Sequence, residues 1–568
     1  MRKPLLCAMG VLAYCLHAEQ PVVEWIRTHA VRLDTTETGR GFSDLQPLKK
    51  IVGDARIVSL GEATHGTREF FQLKHRILEF LATEMGFTIF AIEANMPEAY
   101  RLNDFVLNGN GDPAKLLKGM YFWTWDTQEV LDMILWMRDF NKSGKGRIEF
   151  TGFDMQTPDV AAGIVKDYAA RRVPDYAAAV SAATELATKS QQQSGMGFGV
   201  ATAFFPVSAA AGKQVRYSGY IKTEGVSRGW AGLWWRVDGD KQGQILAFDN
   251  MQDRGATGTS DWKRYEITLP VAKEAKNINF GALHTGDGTA WFDALKVELD
   301  GVEYTDRTTS DLDFESSPPK GFYIGGDGYS VHPDDKVFQS GKQSLQMRFT
   351  GNGGSKSGNP KEAVASWKAV AAHLESLRKP GKDQELEWAI QNARVVLQCM
   401  QMKANEVTRD QSMADNIKWI LDQSPKAKMV VWAHNGHVWT SAASGYSPMG
   451  TALRTMFGGQ MVTFGFAFFE GSFQAVEQGK VLRNFTVAPA PEGSLDATLA
   501  ATGLPVFALD LRNAPAWFKE PHKSRNIGAI YNEGNTEMFY ANYAPAEAFD
   551  VLLFVTKTTA AHRNPAGN

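Results

Sequence analysis

The chain has 568 residues, 43% hydrophobic and 22% charged, the composition of a globular protein of two or three domains. A net charge of -3 and the lack of any basic run exclude a general attraction to phosphate backbones, so no nucleic-acid partner is expected. Aromatic residues make up 11% of the chain, with 15 Trp, which favours β-rich regions or sugar-facing surfaces, although large cores produce the same content.

At the N-terminus Arg2 and Lys3 precede an apolar run from Leu5 to Leu16, and Leu16-His17-Ala18 closes it with a small residue. This pattern predicts a signal peptide over 1–18 and an exported protein, periplasmic or extracellular. The run is too short to span a bilayer, so no membrane span is expected. Of the 3 Cys, Cys7 and Cys15 would leave with the signal and only Cys399 would remain, so no intramolecular disulfide is expected.

From Pro21 to Ser190 helix and strand signals alternate. Trp25–Leu33 and Leu45–Val52 read as helices. Ala55–Leu60 (ARIVSL) reads as a buried strand. Arg68–Met85 carries Phe71, Leu73, Ile77, Leu78 and Leu81 at helical spacing. Thr88–Ile92 reads as the next strand, ending at Glu93. Pro97–Leu107 and Glu129–Phe140 are predicted helices. Ile148–Phe153 is a third strand, ending at Asp154. This is the rhythm of a mostly parallel sheet with covering helices, an α/β fold.

The rhythm breaks at Gln191. From there to about Gly354 the sequence is rich in Gly, Trp, Asp and Thr, with short alternating runs at Val215–Ile221, Ala231–Val237, Tyr265–Leu269 and Ala290–Val297. Turn signals separate them, as in an all-β sandwich. Helical patterns return at Glu362–Leu377, Gln384–Val407 and Asp410–Leu421, followed by strands at Met429–Ala433, Met461–Phe466 and Val506–Leu511. The expected organisation is a split catalytic domain, 19–190 and 355–568, interrupted by an inserted β-sandwich over 191–354.

Two islands carry the candidate chemistry. Leu60-Gly61-Glu62-Ala63-Thr64-His65-Gly66 follows the first strand, and Trp432-Ala433-His434-Asn435-Gly436-His437 follows a later one. Glu93 ends the strand between them in the chain. If these strands are parallel neighbours, Glu62, His65, Glu93, His434 and His437 converge on one crevice at a sheet end. Such a set suits water activation: a His near neutral pKa takes a proton while a carboxylate orients the ring. Arg68, Lys74 or His434 would face the charge that develops on a carbonyl oxygen. Asp154 at a strand end and Arg409 before the Asp410 helix are further candidates for binding substrate. The cluster Tyr121, Phe122, Trp123 and Trp125 fits either an apolar pocket or core packing.

The same His and Glu residues are also ordinary ligands for a divalent ion, so a metal-dependent hydrolase of another bond stays open. No HExxH, CxxC, G-x-S-x-G, P-loop or strand-linked G-x-G-x-x-G is present, which leaves no nucleotide cofactor and no serine nucleophile to expect.

The runs GEATHGTREFF, FAIEANMPEA, GFDMQTP, RDQSMADNIKWIL and WAHNGHV, with SPMGTALRTMFG and TFGFAFFEGSF, resemble the erythromycin esterase family. The resemblance covers roughly Val22–Ser190 and Glu362–Thr559. It implies a hydrolase of a carboxylic ester or lactone, macrolides among them, that acts without a metal or other cofactor. By the same resemblance His65 is the base that activates water, Glu62 and Glu93 orient it, and His434 and His437 complete the site. Arg68 and Lys74 carry over as weaker assignments. The apparent export and the insert depart from the minimal family pattern, and put macrolides in doubt as the natural substrate.

The insert resembles a carbohydrate-binding jelly roll with rotated strand order. An opening Leu312-Asp313-Phe314-Glu315, with Ser340-Gly341-Lys342-Gln343-Ser344-Leu345, comes after a closing Thr289-Ala290-Trp291-Phe292-Asp293. The resemblance raises a glycan partner stacked on Trp230, Trp234 and Trp235; core packing is the more common use of such Trp in a sandwich, and a structural lid or protein-contact module is the alternative role. The alternative it raises is an exported glycan-binding protein on an esterase-like scaffold.

Overall fold

Leu60, Trp432 and Ile92, on three neighbouring strands, stand side by side in one parallel sheet. A computed structural model describes residues 21–192, 198–239, 245–306, 310–326, 328–350, 360–381, 383–441, 447–477, 482–533 and 536–564. The expected signal peptide lies outside the described residues.

The main sheet holds β1 Val31–Arg32, β2 Ile57–Leu60, β3 Ile89–Asn95, β4 Glu149–Asp154, β5 Met429–Trp432, β6 Met461–Glu477, β7 Val506–Asp510 and β8 Val551–Thr558. Their spatial order is β1-β7-β8-β6-β2-β5-β3-β4. From β8 to β4 every neighbour is parallel. At the other edge β7 and β1 pair antiparallel. Two further strands, Leu482–Val487 and Ile530–Tyr531, extend the far end of β6.

The sheet is covered on both faces, which is why its central strands read as unbroken apolar runs. Successive side chains of β5 go to opposite cores. Met429 and Val431 join Trp367 on one face. Val430 and Trp432 join Phe71 and Phe90 on the other. The halves of the chain interlock, because β5 from the C-terminal half lies between β2 and β3 from the N-terminal half.

Several elements depart from the sequence reading. The first helix covers 21–29, and the segment after it is β1, recruited by Phe507 and Ala508. Glu93 lies inside β3, whose register against β4 shifts between Ile92 and Asn95. Strand β6 extends eleven residues past the expected Phe466, because its outer half finds partners in Leu482–Val487 and Ile530–Tyr531.

Between Gln192 and Pro360 the chain builds an antiparallel β unit with strands from Phe198 to Phe349. The runs at Val215–Ile221 and Ala231–Val237 are one strand, Gln214–Asp238. Its first half pairs with Thr289–Leu299 and its second half with Asn277–Thr285. The unit has its own apolar core, including Tyr217, Trp235, Phe280 and Phe292. Trp235 is therefore core rather than a sugar platform, and the Trp230 indole N–H is engaged by the Asn250 carbonyl at 3.2 Å. Among the described residues no helix is long and apolar enough to cross a membrane.

Candidate active site

The aligned ends of β2 and β5, with the interior of β3 beside them, bring Glu62, His434 and Glu93 to one place. Gly61 lets β2 and the second island meet: a Cβ there would collide with Asn435 Oδ1 and press on the Phe464 carbonyl. The Asn435 amide bonds the Phe466 carbonyl at 2.8 Å, and its backbone N–H reaches the Glu62 carbonyl at 2.9 Å.

Glu62 has no exposed surface, and three donors satisfy it. His65 Nδ1 lies 2.7 Å from Oε1. Lys74 Nζ and Trp432 Nε1 reach Oε2 at 2.6 and 2.9 Å. Burial pushes this carboxyl up, but the Lys74 charge and the bond from His65 outweigh it and hold the group below the usual range. Burial also lowers Lys74 to about 8, against the pull of Glu62.

An ionised Glu62 fixes Nδ1–H on the His65 ring and leaves Nε2 with its lone pair. Among the described residues no protein hydrogen bond to Nε2 is found. The ring packs edge-on to Trp125, with centroids 5.9 Å apart, and sits 4.9 Å from the His434 ring. Trp125 is held by its own N–H on the Glu93 carbonyl at 2.8 Å.

Both nitrogens of His434 are committed. Nε2 lies 3.2 Å from the Ile527 carbonyl, and Nδ1 accepts from the Gly436 N–H at 3.2 Å. Burial and the neighbouring His65 hold this His at about 3, so the ring is neutral at ordinary pH.

Glu93 accepts the His434 backbone N–H at 2.9 Å and the Arg409 guanidinium at 2.8 Å. Burial opposes its charge, but His437 and Arg409 outweigh burial and hold it well below the usual carboxylate range. Arg409 is also bidentate on Asp154, at 3.1 and 2.6 Å. His437 Nδ1 lies 2.8 Å from Asp410 Oδ1. Its Nε2 lies 3.2 Å from Arg409 Nη1 and 3.4 Å from Glu93 Oε1. The neutral ring accepts from Arg409 there, whereas the protonated ring donates to Glu93. Burial disfavours the charged ring, yet Glu93 and Asp410 raise His437 above its ordinary value.

Glu62, His65, Glu93, His434, His437, Arg409 and Asp154 thus form one linked group. Lys74 has no exposed side-chain surface and lies behind Glu62, with Nζ 4.2 Å from the Trp432 ring. It supports the carboxylate and cannot reach a substrate. Asp154 is fully buried and spent on Arg409, the Met155 N–H and Gln156. Arg68 is drawn instead to Glu129, 3.8 Å away, which also holds His562. Trp432, Asp410 and the Ile527 carbonyl were not foreseen. Trp432 stood in the second island and Asp410 beside Arg409, whereas nothing local marks Ile527. Among the described residues no three His, Cys, Asp or Glu side chains are grouped to hold a metal ion.

The erythromycin esterase family model matches residues 82–216 and 339–558, more than half of the chain. The chain belongs to the erythromycin esterase family. It is 34% identical over 135 residues to erythromycin esterase type II of Escherichia coli, a stretch covering 23% of this chain and only 31% of that protein. In fold it is similar to a protein from Bacillus cereus, with a TM-score of 0.61 and 20% identity over 96% of this chain and 99% of the other. It is also similar to a mutant of the erythromycin esterase EreC in its open conformation, with a TM-score of 0.52 and 12% identity over 93% and 97% of the two chains. Membership places the chain in an esterase-like hydrolase family with a mixed α/β fold.

Proposed function

We propose that this family member hydrolyses a carboxylic ester or lactone by direct attack of water, with His65 as general base. The observation that carries the reading is the His65–Glu62 pair: Nδ1 tied to a buried carboxylate at 2.7 Å, with no protein hydrogen bond found at Nε2 among the described residues. In the proposed step Nε2 takes a proton as the water oxygen bonds the carbonyl carbon. Arg409 Nη1, no longer bonded by His437 Nε2 once that ring is protonated and turned to Glu93, supplies positive hydrogens for the oxyanion. The tetrahedral intermediate then expels the alkoxide, which takes the proton from His65. Glu93 and Asp154 hold Arg409 and His437 in place. His434, with both nitrogens occupied, orients the Ile527 segment and packs against His65.

Every step uses the chain's own side chains, so the reading includes no metal or other cofactor. The name of the Escherichia coli relative makes a macrolide lactone the first compound to assay. We also read the antiparallel unit as a jelly-roll insert over 191–354 that splits the catalytic domain. Its separate core and the family model's gap at 217–338 support this. The Arg2–Ala18 pattern supports export.

The test is turnover of a panel containing a macrolide, smaller lactones and simple esters, with and without chelator. Release of the free acid at equal rates in both supports the reading. Loss of turnover on chelation, restored by one divalent ion, would replace it with a metal-dependent mechanism.

A further inference from the structure

We propose that the seam between the β unit and the esterase part is a binding site for a short neutral oligosaccharide, two to four rings long. The proposal stands apart from the ester chemistry.

Two adjoining cavities mark the seam. The first, about 500 Å³, lies between strand Phe198–Phe204 of the β unit and the arm that extends β6. The second, about 440 Å³, continues along that arm, and Tyr531 and Glu533 line both.

The strand registers show why aromatic rings face the first cavity. Ala201, Ala203 and Phe280 point into the core of the β unit. Thr202 and Phe204 alternate with them and so point away. Tyr323 pairs with Thr202, which places it on the same outer face. Phe204 and Tyr323 remain 38% and 36% exposed, an unusual setting for two aromatic rings on one sheet face.

The opposite wall is charged. Arg483 reaches Glu533 at 2.9 Å and Glu477 at 3.2 Å, and its guanidinium stacks 4.1 Å from the Phe485 ring centroid. In the second cavity Arg525 lies 5.7 Å from the Tyr540 ring centroid. Aromatic faces beside fixed guanidinium and carboxylate groups fit a pyranose, which presents C–H faces to rings and hydroxyl edges to paired donors and acceptors. A purely apolar ligand would cover the Arg483, Glu477 and Glu533 group without offering it hydrogen bonds, which the hydroxyls of a sugar supply. Ile527 is among the residues that line the second cavity, and its carbonyl meets His434.

The experiment is calorimetry of the full chain against cello-, xylo-, manno- and malto-oligosaccharides of two to four rings, using wild type, Phe204→Ala, Tyr323→Ala and His65→Ala. Binding of at least one series is expected. Each aromatic substitution is expected to weaken it at least about tenfold, with the melting temperature and simple-ester turnover unchanged, and His65→Ala is expected to bind like wild type. No binding at millimolar sugar, or binding indifferent to both aromatic substitutions, would overturn the proposal. Ester turnover without sugar binding would sink the glycan site alone, and sugar binding without turnover would sink the esterase reading alone.

Discussion

His65 meets Glu62 across 2.7 Å through Nδ1, the nitrogen that faces away from any incoming water. The pair fixes the tautomer in which Nε2 accepts a proton. Glu62→Gln keeps the shape but removes the charge that orients and stabilises the imidazolium. The substitution is expected to lower kcat by about 10²–10⁴-fold with little change in KM. Steady-state kinetics on any accepted ester checks this, and an unchanged kcat would detach Glu62 from the chemistry.

Lys74 and Glu62 are both fully buried and 2.6 Å apart. Lys74→Met leaves the carboxylate without its cation in an apolar setting. The expected loss is about 3–5 kcal/mol of stability, measured by urea unfolding. Lys74→Met with Glu62→Leu should recover most of that loss, since no isolated charge then remains.

Burial of His434 sets a pH window. Its folded value is about 3 and its ordinary value 6.5, so between them the unfolded chain binds more protons than the folded one. Stability on this account is complete above 6.5 and falls as pH drops toward 3, by at most about 1.4 kcal/mol per pH unit. His75, also lowered to about 3 by burial, adds a second contribution of the same sign. His437, raised, titrates above this window. His434→Gln should flatten the slope of unfolding free energy between pH 6 and 4, measured by denaturant titration.

Asp410 acts on His437 from the side away from Glu93, through Nδ1 at 2.8 Å. Burial works against the charged ring, and Asp410 joins Glu93 in overcoming it. Asp410→Asn is expected to lower the His437 pKa. Titration of the ring protons by NMR reads this directly.

Much of this arrangement was legible in the chain. The apolar runs at 57–60 and 429–432 and the helix Arg68–Met85 are local patterns, and the structure gives that helix the expected bounds. The convergence of both islands followed from assuming that their strands are neighbours. Other features depend on distant partners. Val551–Thr558 is a central strand that carried no expectation, because its VLLFV run fits a buried helix as well as a strand. Lys74 was misplaced by its charge. It follows Phe70 and Phe71 by four and three positions and precedes Ile77 and Leu78 by three and four, which puts it on the buried stripe. Only Glu62, delivered by another element, makes that position tolerable. The role of Asp410 required a contact spanning 27 residues, which a capped-helix pattern does not reveal.

The central claim is that His65 Nε2 activates the attacking water. The most direct measurement is kcat/KM for one hydrolysed lactone or ester with wild type beside His65→Ala, both checked for an unchanged fold. The account expects a loss of at least about 10²-fold in the variant, with His434→Gln retaining more activity than His65→Ala. A His65→Ala protein that turns over substrate at the wild-type rate would contradict it.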